Sequence, residues 1–320
     1  MFDGILIIDK PEGITSHDVV ARCRRILRTK RIGHTGTLDP FATGVMVILV
    51  GKATRLAQFL DKDAKEYEAL VRFGFETDTG DRTGRRKEEE TGRWGEGETI
   101  PVDQIEGVLS EFRGEILQTP PMYSAKKVDG KKLYELARKG VEIERQPVRI
   151  TIYELETIES QVPGPRSQAE DQSPKPKDLE PGTWDLGLRV LCSAGTYIRV
   201  LAEDIGKKLK TGAHLAELRR TKAGKFGIEK AVTLEKLEEI VAENKLAEVL
   251  ISMNEAVAQL AEIKLSAEEA AKIKNGMKLK RESGELKDGE FLRLTTGENL
   301  AAIGFYNAAE KIVQPKLVLV

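Results

Sequence analysis

One short segment decides how the chain is interpreted. It spans residues 31–44 and reads Arg31-Ile-Gly-His-Thr-Gly-Thr-Leu-Asp-Pro-Phe-Ala-Thr-Gly44. Glycines let a backbone approach a ligand closely, and Pro40 holds Asp39 out of the helical region in an extended conformation. Residues 33–40 therefore predict a stiff loop that presents one carboxylate. Capping of a turn by Asp39 is the alternative that these residues leave open.

Regular elements are predicted on both sides of this loop. Residues 4–10 have the composition of a buried strand, and Ser16 offers an N-cap to a helix whose apolar residues recur at helical spacing. An apolar strand is predicted over residues 44–50. Residues 67–75 alternate without interruption between two sets of side chains, which is typical of a strand with two different faces.

The middle of the chain alternates helices with strands. Helices are predicted from Pro101, over residues 131–139 and over 196–210, and strands over 147–158 and 184–192. Between the last two strands, residues 160–182 are rich in Pro, Ser, Gln and charge, so we expect a mobile polar insertion there. This order indicates an α+β fold with a mixed, largely antiparallel sheet flanked by helices.

The sequence changes character near Ala261. Ser266 and Glu269 form a capping-box pattern for a short helix. Brief strands are predicted after it, over residues 291–294, 300–306 and 317–320. We expect a small β-rich C-terminal module in residues 261–320, after a larger domain in residues 1–260.

The composition describes a soluble globular protein. Of the 320 residues, 40% are hydrophobic and 32% are charged. The longest strongly apolar stretch, residues 45–50, is far shorter than the roughly 20 residues of a membrane span. The first residues have neither the basic leader nor the cleavage site of a signal peptide. We therefore expect a cytoplasmic protein without membrane association.

Positive charge is unevenly distributed along the chain. Residues 1–62 hold ten Lys and Arg against six Asp and Glu, and residues 183–225 hold nine against four. Two basic regions in an otherwise acidic protein favour a face that binds a polyanion, with solvated helix faces as the alternative. The candidate phosphate contacts are Arg22, Arg24, Arg25, Arg28, Lys30, Lys126, Lys127, Lys131, Lys132, Arg219, Arg220 and Lys222.

The sequence lacks familiar nucleotide-binding and metal-binding patterns. Gly51-Lys52 lacks both the earlier glycine and the following Ser or Thr of a phosphate-binding loop. Cys23 and Cys192 form neither a disulfide framework nor a metal-ligand spacing, so we expect small buried thiols. The three histidines are scattered, and we expect no metal site.

Six blocks, in this order along the chain, resemble the motifs of one enzyme family. They are Lys10-Pro-x-Gly-x-Thr-Ser16; Gly33-His-Thr-Gly-Thr-Leu-Asp-Pro40; Lys65-Glu-Tyr67 with Thr77-Asp-Thr-Gly-Asp81; Thr119-Pro-Pro-x-Tyr-Ser-Ala125; Gly195-Thr-Tyr-Ile-Arg199; and Gly212-Ala-His-Leu215 with Arg219-Arg220. Through them, residues 1–225 resemble the TruB family of tRNA pseudouridine synthases. Residues 261–320 match only the general form of an appended RNA-binding module of the PUA type.

The resemblance implies a pseudouridine synthase fold and a cofactor-independent isomerisation of uridine to pseudouridine. Asp39 is implied as the catalytic carboxylate, either a nucleophile on the sugar or a base on its C2′ proton. Arg199 is implied as the cation that keeps Asp39 ionised and oriented. Tyr67 is implied as the ring that stacks on the flipped base and assists proton removal from C5. From the residues alone, Tyr67 could equally be a core residue.

The same resemblance implies the contacts with substrate. Tyr197 and Leu218 are implied to line the pocket, although Leu218 also fits a core position. His34 is implied to fill the space that the flipped base leaves in the RNA. Lys10 completes the implied substrate-binding set, in a motif that supports the catalytic loop.

The implied target is the uridine at position 55 in the T loop of tRNA. The resemblance also implies a monomer without an obligatory protein partner. Two alternatives remain: an RNA-binding tRNA folding factor with vestigial activity, and a guide-RNA-dependent pseudouridine synthase subunit. Residues 119–146 resemble the RNA-gripping segment of the stand-alone enzymes, which disfavours the second alternative.

Overall fold

The computed structural model describes residues 2–87, 100–124, 127–128, 130–137, 140–141, 143–158, 183–281 and 286–320. Within them the strands are β1 (Gly4–Lys10), β2 (Ile32–Thr35), β3 (Thr43–Val50), β4 (Lys65–Phe73), β5 (Gly114–Gln118), β6 (Lys127–Val128), β7 (Lys131–Lys132), β8 (Val148–Ile158), β9 (Trp184–Cys192), β10 (Ala213–Ala223), β11 (Phe226–Gly227), β12 (Ala261–Lys264), β13 (Leu279–Lys280), β14 (Phe291–Thr296), β15 (Asn299–Asn307) and β16 (Ile312–Val318). The α-helices are α1 (Ser16–Ile26), α2 (Ala57–Leu60), α3 (Val102–Glu111), α4 (Leu133–Ala137), α5 (Ile198–Leu209), α6 (Leu234–Ala242), α7 (Met253–Ala256) and α8 (Ala267–Lys274).

A nine-stranded mixed sheet forms the larger part of the molecule. Its strand order is β1-β3-β10-β4-β9-β8-β5, with β2 beside β3 and β11 beside β10. The pairing is antiparallel except between β3 and β10, which run parallel. The prediction of a mixed, largely antiparallel sheet with helices is confirmed.

Strand β4 lies inside this sheet, between β10 and β9. Tyr67, Val71 and Phe73 are buried on one face, as the sequence alternation predicted, while Glu68 is exposed on the other. The buried face packs against the apolar side of α5, which includes Leu201. Cys192, at the end of β9, pairs with Lys65 at the start of β4, and α5 begins six residues later at Ile198.

Strands β1 and β3 are buried on both faces, which explains why their sequences are continuously apolar. One face packs with Val19 of α1 and Leu237 of α6. The other face packs with Ile303 and Leu317 of the C-terminal sheet. The two sheets therefore share one hydrophobic core.

The C-terminal residues form a five-stranded sheet with the order β12-β14-β15-β16-β13. The predicted capping box of α8 is present: the Ser266 hydroxyl accepts from the Glu269 amide at 3.2 Å, and the Glu269 carboxylate accepts from the Ser266 amide at 2.9 Å. The last strand begins at Ile312, five residues before the predicted start. The β-rich nature of this part is as predicted.

Two of these local predictions need correction. Residues 32–35 form strand β2 instead of loop, because β3 offers them an antiparallel partner. The helix predicted over 131–139 is shorter: Lys131–Lys132 is a strand that pairs with β6, and α4 begins at Leu133. The insertion at 160–182 lies outside the described residues.

Cys23 and Cys192 are free and buried, as predicted. No helix in the described ranges is long and apolar enough to cross a bilayer.

Candidate active site

The loop that carries Asp39 joins β2 to β3, and Lys10 anchors it from the protein interior. Lys10 lies at the end of β1 and is fully buried. Its Nζ donates to the carbonyl oxygens of Pro11, Pro40 and Ala42 at 2.9, 3.1 and 2.6 Å. Burial lowers the pKa of the Lys10 ammonium to about 8. Two of its three acceptors, Pro40 and Ala42, lie just after Asp39 in the chain, so this side chain fixes the path of the loop.

Ser16 supports the same loop from α1. Its hydroxyl donates to the carbonyl of Leu38 at 3.0 Å and accepts from the amide of Leu38 at 2.9 Å. The prediction that Ser16 caps α1 is therefore wrong. Thr15 is the N-cap, and it forms a capping box with Asp18. The hydroxyl of Ser16 is left free for the loop because its neighbour caps the helix.

Asp39 and Arg199 form an ion pair. Nε of Arg199 lies 2.9 Å from Oδ2 of Asp39, and 6% of the Arg199 side chain is exposed against 37% of the Asp39 side chain. Burial raises the pKa of the Asp39 carboxyl above its usual value, and the Arg199 guanidinium opposes this effect. The site therefore presents a carboxylate that solvent can reach and whose ionised form is supported chiefly by the buried Arg199.

Three further groups hold the Arg199 guanidinium. Nη1 donates to the carbonyl of Thr79 at 2.8 Å and lies 3.6 Å from the Asp81 carboxylate. Nη2 donates to the carbonyl of Tyr123 at 2.8 Å. Asp81 is itself buried. Arg199 thus connects Asp39 to the turn after β4 and to the segment that follows β5.

The first turn of α5 is positioned by Gln118, at the end of β5. Its side-chain amide donates to the carbonyl of Tyr197 at 3.0 Å and accepts from the Tyr197 amide at 2.8 Å. Tyr197 is the N-cap residue of α5, two residues before Arg199. Because both bonds go to the main chain, the Tyr197 ring keeps its freedom to face a ligand.

Tyr67 and Leu218 lie on one face of the sheet. Tyr67 is 8% exposed and Leu218 is 7% exposed. Leu218 pairs with Ala69 across β10 and β4, so it is on the same face as Tyr67. Burial raises the pKa of the Tyr67 phenol, and the neighbouring Arg220 guanidinium acts in the opposite direction.

Arg220 is not a surface residue. Only 1% of it is exposed, so its predicted role as a phosphate contact is wrong. Arg220 pairs with Tyr67 across the strands, and β-strand alternation turns both side chains to the buried face. Nε donates to the carbonyl of Val45 at 2.7 Å, and Nη2 donates to the carbonyl of Gly36 at 2.9 Å.

His34 lies on β2 and is partly exposed. Its ring makes an edge contact with His17, with a centroid distance of 6.0 Å. Burial lowers the pKa of His34. The structure therefore places this side chain beside α1.

Several candidate phosphate contacts have acidic partners. Arg219 pairs with Asp9 at 2.7 Å, and Arg22 lies 3.4 Å from Glu235. Lys222 is exposed. The structure does not describe the side chains of Lys126, Lys127, Lys131 and Lys132. In the described parts of the chain, no group of three or more His, Cys, Asp and Glu side chains has the geometry of a metal site.

Sequence reasoning missed four residues of this site: Ser16, Asp81, Gln118 and Arg220. Asp81 ends a block that was noticed for its resemblance, but nothing in the block identified its partner. Arg220 could have been found from strand alternation, because it is two residues from the apolar Leu218 and therefore shares its face. The roles of Ser16 and Gln118 depend on long-range main-chain contacts that no local pattern reveals.

Comparison with known proteins identifies the family. The model described as "TruB family pseudouridylate synthase (N terminal domain)" matches residues 24–198, more than half of the chain. The chain belongs to the TruB family of pseudouridylate synthases. A second model, "tRNA pseudouridylate synthase B C-terminal domain", matches residues 199–258. The family prediction, and with it the prediction of an isomerase, is confirmed.

Individual relatives agree with this assignment. The tRNA pseudouridine synthase B of Solibacter usitatus (strain Ellin6076) is 43% identical over 274 residues, which is 86% of this chain and 85% of the relative. That of Bacillus cytotoxicus is 44% identical over 281 residues, which is 88% of this chain and 85% of the relative.

Solved structures show the same fold. A Cbf5-Nop10-Gar1 complex matches with a TM-score of 0.69 at 27% identity, and the match covers 99% of this chain and 85% of that chain. An H/ACA ribonucleoprotein bound to a substrate RNA containing 2′-deoxyuridine matches with a TM-score of 0.68 at 26% identity and the same coverage.

Proposed function

We propose that this TruB-family protein isomerises the uridine at position 55 in the T loop of tRNA to pseudouridine. The observation that carries the proposal is the ion pair of Asp39 and Arg199 at 2.9 Å, in which the carboxylate keeps 37% of its side chain exposed. An exposed carboxylate beside a buried guanidinium suits attack on a nucleoside. It also agrees with the family and with relatives named for tRNA.

The reaction breaks the bond between ribose C1′ and N1 of the base and joins C1′ to C5. The proton on C5 leaves, N1 takes up a proton in its place, and the base keeps its other atoms, so the overall change is an isomerisation. Asp39 starts it in its ionised form, as a nucleophile on C1′ or as a base on the C2′ proton. Arg199 supports the ionised form, because its charge opposes the effect of burial on the pKa of Asp39.

The target uridine must leave its stack to reach Asp39. Extrusion costs a few kcal/mol, and stacking on an aromatic ring returns about 1 to 3 kcal/mol. We assign that stacking to Tyr67, with Leu218 and Tyr197 as the pocket wall and His34 as the side chain that fills the vacated space. Lys10 serves by holding the loop, because its fully buried ammonium has no surface for a substrate.

The stand-alone mode of action is part of the proposal. We infer a monomeric, cytoplasmic enzyme that recognises tRNA without an obligatory protein partner. The relatives named tRNA pseudouridine synthase B support this choice over a guide-RNA-dependent subunit, because they are 43–44% identical over 86–88% of the chain, against 26–27% for the structures of H/ACA and Cbf5 complexes. The folding-factor alternative is disfavoured by the intact pair of Asp39 and Arg199.

The division of labour between residues 1–260 and 261–320 is also proposed. The nine-stranded sheet and its helices carry the chemistry, and the second sheet, which begins at Ala261, extends the RNA-binding surface as a PUA-like module. Shape recognition of a folded loop suits such an arrangement, because sequence-specific RNA recognition targets splayed loops.

Incubation of the purified protein, alone, with unmodified tRNA tests the proposal. The tRNA carries tritium at C5 of its uridines, and the released tritium counts the isomerisations. We expect one equivalent per tRNA, and none from tRNA in which cytidine replaces uridine 55. Tight tRNA binding without tritium release would favour the folding factor. Release only after addition of a guide RNA and partner proteins would favour the guide-dependent subunit.

A further inference from the structure

Arg220 is a buried charge whose described partners are all neutral. It is 1% exposed, its guanidinium donates to the carbonyls of Val45 and Gly36, and its charge acts to lower the pKa of the neighbouring Tyr67 phenol against the larger, opposite effect of burial. Arginine stays protonated in proteins, and burying a charge beside neutral groups is costly. A costly side chain at the centre of the sheet calls for a functional explanation.

The partners of Arg220 define what it connects. Gly36 begins the loop that carries Asp39, and Val45 lies in β3 shortly after that loop ends. Tyr67 lies directly across from Arg220 in the register of β10 and β4. A single guanidinium therefore joins the two ends of the Asp39 loop, and its side chain lies on the same face of the sheet as the Tyr67 ring.

Two glycines make room for this connection. A Cβ on Gly36 would lie 3.2 Å from Nη1 of Arg220, and a Cβ on Gly44 would lie 2.2 Å from the Arg220 carbonyl oxygen. Both glycines have positive φ angles, 70° and 100°. The loop is therefore shaped for close packing against Arg220 at both of its ends.

Two buried lysines lie near Arg220. Lys10 and Lys65 are also buried, at 0% and 5% exposure, and each lies near enough to Arg220 to feel its charge. Their ammonium groups donate to main-chain carbonyls. Burial raises the pKa of both reactive groups, and these cations oppose it: Lys10 acts to lower the pKa of Asp39, and Arg220 acts to lower that of Tyr67.

We propose that Arg220 is a positioning residue for the isomerisation, which acts through Tyr67 by holding the phenol oxygen in one orientation and favouring negative charge on it. The inference rests on the proposed function. It assigns no contact between Arg220 and the substrate, because the side chain has no exposed surface. The reacting groups remain Asp39 and the uridine.

The test compares Arg220→Lys and Arg220→Gln with Arg113→Gln as a matched control. Arg113 also donates to a main-chain carbonyl, that of Leu155, but it lies between α3 and β8, away from Asp39. Loss of one charge-assisted hydrogen bond in the transition state predicts that Arg220→Gln lowers kcat by about 10- to 100-fold. The KM for tRNA should stay within about threefold, and Arg220→Lys should recover part of the rate, since it keeps the charge. Arg113→Gln should leave kcat unchanged.

Two readouts separate positioning through Tyr67 from a merely structural role. In the Tyr67→Phe background, Arg220→Gln should add less than a threefold loss, because the group it acts on is gone. The carbon-13 resonance of the Tyr67 ring, assigned by its absence in Tyr67→Phe, should titrate at higher pH in folded Arg220→Gln than in the unchanged protein.

Opposite results would overturn the inference without touching the proposed function. These are a full additional 10- to 100-fold loss in the double variant, or an unchanged Tyr67 titration in Arg220→Gln. Failure of the proposed function is distinguished from both, because the unchanged protein would then release no tritium at all.

Discussion

The two sheets of the molecule bury different kinds of side chain. Among the described residues that are buried as a whole, the charged ones are Lys10, Lys65, Asp81, Arg199 and Arg220, and they all belong to the part built on the nine-stranded sheet. The carboxylate of Asp185, in the same sheet, is buried as well and pairs with Arg72. In the five-stranded sheet, the buried residues are apolar apart from Thr295. Its charged groups pair at the surface, as Lys278 does with Glu310 at 3.1 Å.

The difference in buried charge between the two sheets points to the candidate active site. Burying a charge costs free energy that apolar packing does not, so a fold keeps buried charges where something requires them. Here all five surround the loop of Asp39 or the phenol of Tyr67. Buried charge therefore marks the candidate site more sharply than the exposed basic residues, which are spread over several elements and are partly paired with acids.

Among the substitutions that leave Asp39 itself unchanged, Arg199→Met should have the largest effect. Loss of the cation that supports Asp39 should lower turnover by about 100- to 1,000-fold. It should also change the pH profile. The pKa of Asp39 is already raised by burial, and without Arg199 it rises further, so a smaller fraction of the carboxyl is ionised at a given pH. The acidic limb of the single-turnover rate, measured between pH 5 and 9, should therefore move to higher pH.

The control for this change is Arg113→Gln, which removes an arginine far from Asp39. Its pH profile should match that of the unchanged protein. An acidic limb that stays in place in Arg199→Met would show that Arg199 does not govern the ionisation of Asp39.

Lys10→Met should be the most destabilising of the single substitutions. It leaves the carbonyls of Pro40 and Ala42 without their donor, and we expect the free energy of unfolding to fall by about 2 to 4 kcal/mol. Lys278→Ala, in the C-terminal sheet, removes an exposed ion pair and should leave the melting temperature nearly unchanged. Urea unfolding of both variants tests this difference. Equal losses of unfolding free energy would contradict the proposed difference between the two sheets.

Gly44→Ala should have a smaller but clear effect on stability. Its Cβ would lie 2.2 Å from the Arg220 carbonyl at a φ of 100°, so we expect a loss of about 2 to 3 kcal/mol. Gly297, in the hairpin between β14 and β15, also has a positive φ, but nothing lies within 4 Å of its Cβ position. Gly297→Ala should cost only about 1 to 2 kcal/mol from the backbone conformation. Thermal unfolding of both variants tests the difference.

Deletion of residues 161–180 should have the smallest effect. Their composition is polar and rich in Pro, and β8 and β9 pair directly from Ile158 to Gly187 on either side of them. We expect turnover within twofold and a melting temperature within about 2 °C of the unchanged protein. A larger fall in either quantity would show that the segment packs on the body of the protein.

Sequence patterns predicted those helices and strands that are determined by residues close together in the chain. The alternation of β4 and the capping box of α8 are examples, since each depends on neighbours in sequence. Strand β2 was not predicted, because it exists through its pairing with β3. The cap of α1 was misplaced by one residue, because the hydroxyl of Ser16 is committed to Leu38, 22 residues away.

The same division applies to the candidate site. Asp39, Arg199 and Tyr67 could be named from motifs that resemble a family, and the structure brings the first two into direct contact. Asp81 and Arg220 could not be placed, because their roles follow from which strands and loops meet. Net charge was misleading for Arg220, since a basic residue in a basic stretch is expected at the surface.

The direct test of the central claim is tritium release from C5 of uridine in unmodified tRNA by Asp39→Asn. The substitution keeps the size of the side chain and removes its charge. We expect turnover to fall by about 10⁴-fold or more, while the Kd for tRNA stays within threefold of that of the unchanged protein. Turnover that survives the substitution, or a loss of tRNA binding as large as the loss of turnover, would contradict this claim.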